Sequence, residues 1–171
     1  DILMRCSQFE EIDDHLVKTV APSRQHVHLF RQLCRDRLFL SPVVGDDSQL
    51  TFRLHPLFRA YLQELFEDEV SEKERKGLLY RVGHEHFQRE EHIKALKCFL
   101  QADALDQALA VLDKLEGERL HVSRDPALVS LLSRFPDHLQ EREPWLLLHK
   151  ALAARFKEVD KNIHRLMAAK T

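Results

Sequence analysis

The stretch from residue 38 to residue 66, LFLSPVVGDDSQLTFRLHPLFRAYLQELF, decides the fold of this chain. It contains two runs, LFLSPVV and QLTFRL, whose Val, Phe, Thr and Leu residues suit the pleated, half-buried surface of a β-strand. The segment Gly45-Asp46-Asp47 lies between the runs, and glycine readily adopts the positive φ that a tight turn requires. The stretch therefore predicts a β-hairpin with its turn at Gly45.

Helices are predicted on both sides of this hairpin. Pro56 opens the following helix, because proline at a first helical position loses no hydrogen bond and has a helical φ angle. One side of that helix is apolar: Leu57, Phe58, Tyr61, Leu62, Leu65 and Phe66. Apolar spacing predicts three earlier helices, over residues 2–6, 10–20 and 24–37. A hairpin inserted in a helical chain is typical of a winged helix domain, which we expect over residues 1–70.

The remainder of the chain, residues 71–171, is predicted to be helical. Ser71 and Glu74 have the spacing of a capping box at the start of a long helix. Its apolar positions are Leu78, Leu79, Val82, His86 and Phe87. Leucine stripes with alanines between them follow, which favours closely packed helix pairs. Two more helices are predicted, over residues 126–135 and 145–156, so the whole chain is mainly α.

Composition restricts the class of protein. The 171 residues are 44% hydrophobic and 32% charged, which is enough to form a core and a solvated surface. The net charge of −2 gives no overall attraction to nucleic acid or membrane. No apolar run approaches the ~20 residues of a membrane helix, and no leader sequence is recognisable. The 3 cysteines form neither a disulfide framework nor a metal knuckle, so we expect a cytoplasmic protein.

Motifs for chemistry are missing from the sequence. It contains no G-x-x-x-x-G-K-[ST] loop for phosphate and no G-x-S-x-G or H-E-x-x-H pattern. Among the 11 histidines, His26/His28 and His84/His86 are two residues apart. Such pairs project to different sides of a helix and cannot hold one ion together. We therefore predict no metal site, no cofactor in this chain and no enzymatic activity of its own.

The chain also resembles a known family. The segment FRLHPLFRAYLQELF is similar to the (Y/F)-R-x-H-x-L-F-x-x-(F/L)-L segment of the MalT-like, ATP-dependent transcriptional regulators of the LuxR family, which are STAND-class signalling ATPases. The opening ILMRCSQFEEIDDHLVKTV fits the same register. The segment LYRVGHEHFQREEHIKALKCFLQADALDQALAVLDKL resembles the start of their helical arm and tetratricopeptide-like (TPR-like) region. The resemblance is most specific between Leu38 and Leu112.

The resemblance implies a place for this chain within a longer protein. In the family, this region lies between an N-terminal nucleotide-binding domain and a C-terminal helix-turn-helix. The implied partners are therefore the ATPase domain, which holds ATP or ADP, and a downstream sensor region, with DNA bound through the absent helix-turn-helix. We expect the chain to relay the nucleotide state to effector sensing.

His55 is the residue to which the resemblance assigns a role. The histidine at this place in the family is expected to contact the β-phosphate of ADP and to hold the resting, closed form. The sequence itself places His55 between a strand and a helix N-terminus, where free amides and the helix dipole attract anions. An alternative is that the His55 ring forms a local cap and does nothing more.

A second hypothesis for the function is based on the third predicted helix. Arg24, His28, Arg31 and Arg35 share one of its faces, and Arg53 adds charge on the wing. Such a face reads a DNA major groove, docks on the ATPase domain, or is simply a solvated surface. Acidic pairs at residues 13–14 and 46–47 weigh against DNA phosphate. The alternative function is a free-standing winged helix DNA-binding module with a helical dimerisation arm.

Self-association is a further expectation. The apolar residues Trp145, Leu146, Leu147 and Leu148 are expected to be exposed at the end of an incomplete helical array. An exposed apolar surface of this kind pairs readily with a second copy of the chain.

Overall fold

The computed structural model describes most of the chain, in five ranges: residues 1–44, 50–115, 126–143, 146–147 and 151. The described residues are mainly helical with one two-stranded antiparallel sheet, as predicted. The chain forms two compact units, residues 1–85 and 86–171. The domain boundary that we placed after residue 70 stays a prediction. The turn at Gly45 and most of the helix predicted over residues 145–156 lie outside the described residues.

The first unit contains the predicted winged helix. Its elements are α1 (Ile2–Cys6), α2 (Asp14–Val20), α3 (Arg24–Arg35), β1 (Leu40–Val44), β2 (Leu50–Leu54), α4 (Pro56–Glu69) and α5 (Glu72–Gln88), the last of which extends past the unit boundary. α1 contacts α2, α3 and α4 and so lies at the centre of the helical cluster. The buried apolar side chains of α1 to α4 are Ile2, Cys6, Leu16, Val17, Val20, Phe30, Leu62 and Phe66.

The β-hairpin is the wing of this domain. β1 and β2 pair antiparallel, from Leu40 opposite Leu54 to Val44 opposite Leu50. Side chains alternate between the faces of a strand, so Leu40, Leu54 and Phe52 share one face. Leu40 and Leu54 are buried, which identifies this face as the inner one.

The start of α2 differs from the prediction. We expected a helix from residue 10, whereas α2 begins at Asp14. Ile12 is extended and forms a bridge with Phe52, with both N–H···O distances at 2.9 Å. Asp13 then caps α2, because its carboxylate accepts a hydrogen bond from the Leu16 N–H at 2.6 Å. Pairing with the wing therefore determines the conformation of the residues before Asp13.

The end of α3 also differs from the prediction. We expected the helix to reach Arg37, but it ends at Arg35. Arg37 has a φ of 52°, and its N–H donates to the Cys34 carbonyl at 3.3 Å. The Leu38 N–H donates to the Leu33 carbonyl at 3.3 Å. This is a Schellman motif with arginine in the left-handed position that glycine usually occupies.

The apolar side of α4 is divided between core and surface. Leu62 and Phe66 are buried, as their spacing predicts. Leu57 and Tyr61 were predicted on the same apolar side, but they are 79% and 55% exposed. Leu57 and Tyr61, in the first two turns of α4, are thus available for contacts outside this unit.

Hydrogen bonds attach α1 to α4 and to α5. The carbonyl of Ser7, directly after α1, accepts from Arg59 Nε at 2.8 Å and from Gln63 Nε2 at 3.0 Å. The predicted capping interaction at α5 is present, because Ser71 Oγ accepts from the Glu74 N–H at 3.3 Å. The Glu74 side chain does not complete the capping box by reaching back. It instead accepts from Arg5 Nη2 at 2.9 Å.

The second unit has its own core. Its further elements are α6 (His92–Gln101), α7 (Leu105–Lys114), α8 (Pro126–Leu132) and α9 (Asp137–Arg142). α6 contacts both α7 and α8. The alanines of these helices behave as predicted, because Ala95 and Ala108 are fully buried in the shared core.

Two expectations for the second unit are wrong. The helix predicted over residues 126–135 ends at Leu132, and α9 was not predicted. Phe135 is nevertheless buried, because a turn after α8 directs it into the core. Leu146 was expected on the surface but is 3% exposed, whereas Leu147 is 46% exposed. Trp145 and Leu148 lie outside the described residues.

The division of α4 can be tested with two aromatic truncations. Phe66→Ala should lower the free energy of unfolding by roughly 3–5 kcal/mol, because it removes a buried ring and leaves a cavity. Tyr61→Ala, on the same helix, should change it by about 0.5 kcal/mol or less, since that ring is already exposed. Urea denaturation of both variants measures the difference. Equal losses would contradict the assignment of Tyr61 to the surface.

Candidate functional site

His55 connects the wing to α4. Its backbone is held at both ends: the N–H donates to the Phe39 carbonyl at 2.9 Å, and the carbonyl accepts from the Arg59 N–H at 2.8 Å. The side chain is exposed and makes no capping hydrogen bond to α4. The ring of His55 is therefore available to an external group at the N-terminus of a 14-residue helix.

An apolar surface accompanies His55. It consists of Phe39, Leu57, Phe58 and Tyr61, and we call it the α4 surface. The rings of Phe39 and Phe58 stack with centroids 4.3 Å apart and an interplanar angle of 29°. Phe39 is 57% exposed. Clustered apolar groups that remain exposed mark a surface for contact with another molecule or domain.

Only part of this surface was predicted from the sequence. The apolar spacing of α4 indicated Leu57, Phe58 and Tyr61, although as core residues. Phe39 was assigned to a strand, but it precedes β1 and has a φ of 59°. Its place beside α4 depends on this left-handed conformation, and no signal in the sequence predicts that conformation for phenylalanine.

The predicted face of α3 is present but partly neutralised. Arg24, His28, Arg31 and Arg35 are all exposed on this helix. Arg31 donates to Asp14 Oδ1 through Nε at 2.9 Å and through Nη2 at 2.5 Å. Hydrogen bonds from Lys18 and then from Arg31 lower the pKa of Asp14 below its ordinary value. The charge of Arg31 is therefore compensated at neutral pH.

Arg53 does not join that face. It follows Phe52 in β2, so its side chain projects from the opposite, outer face of the wing. Its Nη2 lies 2.6 Å from Glu11 Oε1 in an exposed ion pair. The structure therefore separates Arg53 from the four α3 residues with which the DNA-binding hypothesis combined it.

In the second unit, a buried histidine contacts a half-buried glutamate. His86 was predicted at an apolar position; it is 9% exposed, and its Nδ1 lies 2.5 Å from Glu91 Oε2. Glu91 Oε1 lies 3.3 Å from Arg89 Nη2 and 3.5 Å from Lys94 Nζ. Hydrophobic spacing in α5 predicted that His86 is buried, but it could not predict that the buried side chain contacts a carboxylate.

The protonation states of this pair follow from burial and charge. Burial lowers the pKa of His86, and the positive charges of Lys94 and Arg89 act in the same direction against its hydrogen bond to Glu91. Burial acts to raise the pKa of Glu91, but the His86 hydrogen bond and the nearby cations together hold it below its ordinary value. Both directions fit a neutral His86 that donates its Nδ1–H to an ionised Glu91.

In the described part of the chain, no group of three or more His, Cys, Asp or Glu side chains could hold a metal ion. No helix among those residues is long and apolar enough to cross a membrane.

The fold defines the class of the first unit. Three helices, a bridge residue, a β-hairpin and a following helix form a winged helix domain. A family model described as the MalT winged helix domain matches residues 1–74. This confirms the resemblance over those residues: the first part of the chain is a winged helix domain of the MalT type. Comparison with curated proteins gave no match, and comparison with solved structures gave none.

The His86–Glu91 pair predicts a pH dependence of stability. The pKa of folded His86 lies below its ordinary value of 6.5, so the unfolded state takes up the proton first as pH falls. The contribution of neutral His86 to folding stability is complete above the unfolded-state pKa of 6.5. It is lost as pH falls from there through the lower pKa of the folded state. Between pH ~7 and pH ~5.5, the melting temperature of the wild type should fall more than that of His86→Asn.

His28→Asn is the matched control, because His28 is exposed. It should retain the wild-type pH dependence. Identical slopes for the wild type and His86→Asn would show that His86 does not carry this effect.

Proposed function

We propose that this chain is the central relay of a nucleotide-dependent transcription regulator of the MalT type. It would couple the nucleotide state of one domain to effector sensing by another. The observation that carries the proposal is the exposed α4 surface beside His55, in a domain that matches the MalT winged helix family. An apolar surface next to a helix N-terminus fits a domain that closes over a bound nucleotide.

The proposed parent is a cytoplasmic STAND-class ATPase of the LuxR family. ATP or ADP would be held by its nucleotide-binding domain, and DNA by its C-terminal helix-turn-helix. In the closed, ADP-bound form, the α4 surface would pack on the nucleotide-binding domain and the His55 ring would meet the β-phosphate. The backbone bonds from His55 to Phe39 and Arg59 would hold the main chain of His55 in place before the phosphate arrives.

The helical second unit would form the start of the sensing arm. α6 and α7 pack as a pair around Ala95 and Ala108, and α8 adds a third helix to the same core. Arrays of such pairs form extended surfaces for effectors, and we infer that a longer TPR-like region continues this one. Effector binding would then favour the open arrangement of the winged helix over the closed one.

The role of His55 can be tested in a protein that joins this chain to its nucleotide-binding domain. His55→Ala should weaken ADP retention and raise transcription without inducer, because a lost phosphate contact removes ~1–3 kcal/mol from the closed form only. This shifts a two-state equilibrium about five- to hundredfold. Nucleotide retention and reporter transcription measure the two effects.

His28→Ala is the control, since His28 is exposed on α3 rather than beside the α4 surface. It should retain ADP as the wild type does. Unchanged ADP retention together with unchanged basal transcription in His55→Ala would reject the proposed contact.

The alternative, direct DNA binding by the winged helix, has less support. Arg31 is paired with Asp14 and Arg53 with Glu11, so two of the five proposed contact residues carry compensated charge. Phosphate binding would have to replace these ion pairs.

A gel-shift titration of the 171-residue chain with mixed-sequence duplex DNA distinguishes the two functions. The relay predicts no shift even at low salt. A shift that disappears as salt rises and is weakened by Arg24→Gln and Arg35→Gln would instead favour the DNA-binding module, because those side chains carry the phosphate contacts in that hypothesis.

A further inference from the structure

A groove of about 590 Å³ lies between α3 and the wing. Phe30 and Cys34 of α3 line one side, and Pro42, Leu50 and Phe52 of the hairpin line the other. Small-molecule sites in proteins typically have volumes of ~300–1,000 Å³ and mostly apolar walls. The size and lining of this groove therefore fit a small ligand.

The groove results from partial coverage of the inner face of the hairpin. At the base of the hairpin, Leu40 and Leu54 are buried. In the middle, the rings of Phe52 and Phe30 meet edge-on with centroids 6.4 Å apart. Towards the tip, Leu50 lies on the same face but is 62% exposed. The inner face is thus apolar at its described positions and exposed at Leu50.

The thiol of Cys34, which lines the apolar wall of the groove, is uncharged. Burial raises the pKa of Cys34 to about 11, so this side chain is neutral at physiological pH. Cys34 therefore behaves as a small hydrophobic group beside Phe30 and Phe52.

The acidic groups of the groove are already engaged. Asp13 caps α2 through the Leu16 N–H at 2.6 Å. Asp14 accepts from Arg31 and lies 2.6 Å from Lys18 Nζ. Neither carboxylate is available to neutralise a further cation without losing these contacts.

Of the three arginines that line the groove, Arg31 is paired with Asp14, but the other two are not engaged in this way. Arg35 and Arg37 line it at the end of α3, and neither forms an ion pair within the described residues. A guanidinium beside an apolar wall favours a ligand with an anionic head, especially a carboxylate, which accepts two parallel hydrogen bonds from arginine. The two arginines thus favour a ligand with an anionic group, and the apolar wall favours a ligand that also has an apolar part.

We propose that this groove binds a small amphipathic carboxylate. The apolar part would lie against Phe52, Leu50 and Phe30, and the carboxylate would meet Arg35 and Arg37. This site is separate from His55, and the inference does not depend on the proposed relay function. A polyanion such as DNA would leave the apolar wall unused, and an amphipathic cation would be repelled by the two arginines.

Decanoate is a suitable probe of the whole 171-residue chain, and decyltrimethylammonium is its matched cation with the same alkyl chain. Calorimetric titration below the micelle concentration should show saturable binding of decanoate, with the cation bound at least tenfold more weakly. Combined Arg35→Gln and Arg37→Gln substitution should weaken decanoate binding about tenfold or more, since charge-assisted hydrogen bonds are lost. Both side chains are exposed, so the fold should persist.

Two controls distinguish the groove from general adsorption. Arg24→Gln removes an exposed arginine of α3 that does not line the groove. Leu57→Ser removes the most exposed apolar side chain of the α4 surface. Both should bind decanoate as the wild type does. Absence of saturable binding, equal affinity for the cation, or unchanged affinity in the Arg35/Arg37 variant would each overturn the proposal.

Discussion

The arrangement of the wing depends on the contacts that Phe52 makes in three directions. Its backbone N–H and carbonyl both bond to Ile12, so the edge of β2 towards Ile12 is occupied at this residue. Pro42, opposite Phe52 in β1, therefore occupies a non-hydrogen-bonded position where its missing N–H costs nothing. The Phe52 ring meets Phe30 of α3. One residue thus fixes the wing against both α3 and the segment before α2, which is why α2 begins later than apolar spacing predicts.

Three helices among the described residues end in a left-handed residue other than glycine. Arg37, Glu90 and Asp103 have φ angles of 52°, 60° and 59° after α3, α5 and α6. Each left-handed residue other than glycine costs roughly 1–2 kcal/mol. The same hydrogen bonds recur at the last two ends, with Glu91 N–H to His86 O and Ala104 N–H to Phe99 O, both at 2.9 Å. These bonds satisfy helix carbonyls that would otherwise lack partners, and this offsets the cost.

The elements predicted correctly are those specified by neighbouring residues in the sequence. The errors arise where contacts with residues distant in the sequence determine conformation or burial. Pro56 and the alternating residues of β2 specify their elements through neighbours a few positions away, so α4 and the wing were predictable. Whether Tyr61 is core or surface depends on which other elements pack over α4, and amphipathic spacing does not contain that information. The candidate site divides in the same way: the position of His55 was readable, whereas Phe39 reaches α4 only through a backbone conformation that the sequence does not indicate.

The hairpin also connects the two proposed sites physically. Phe39 accepts the His55 N–H through its carbonyl and stacks on Phe58 through its ring. The next residue, Leu40, is buried at the base of the inner face that forms one wall of the groove. Because Phe52 of this face meets Phe30 of α3 while Leu50 is exposed, a ligand between Leu50 and α3 would act on the hairpin as a wedge. Any displacement of the hairpin relative to α3 would reach His55 through the Phe39 hydrogen bond. Coupling between the sites would therefore require no long pathway, since Phe39 and His55 directly flank the strands of the hairpin that lines the groove.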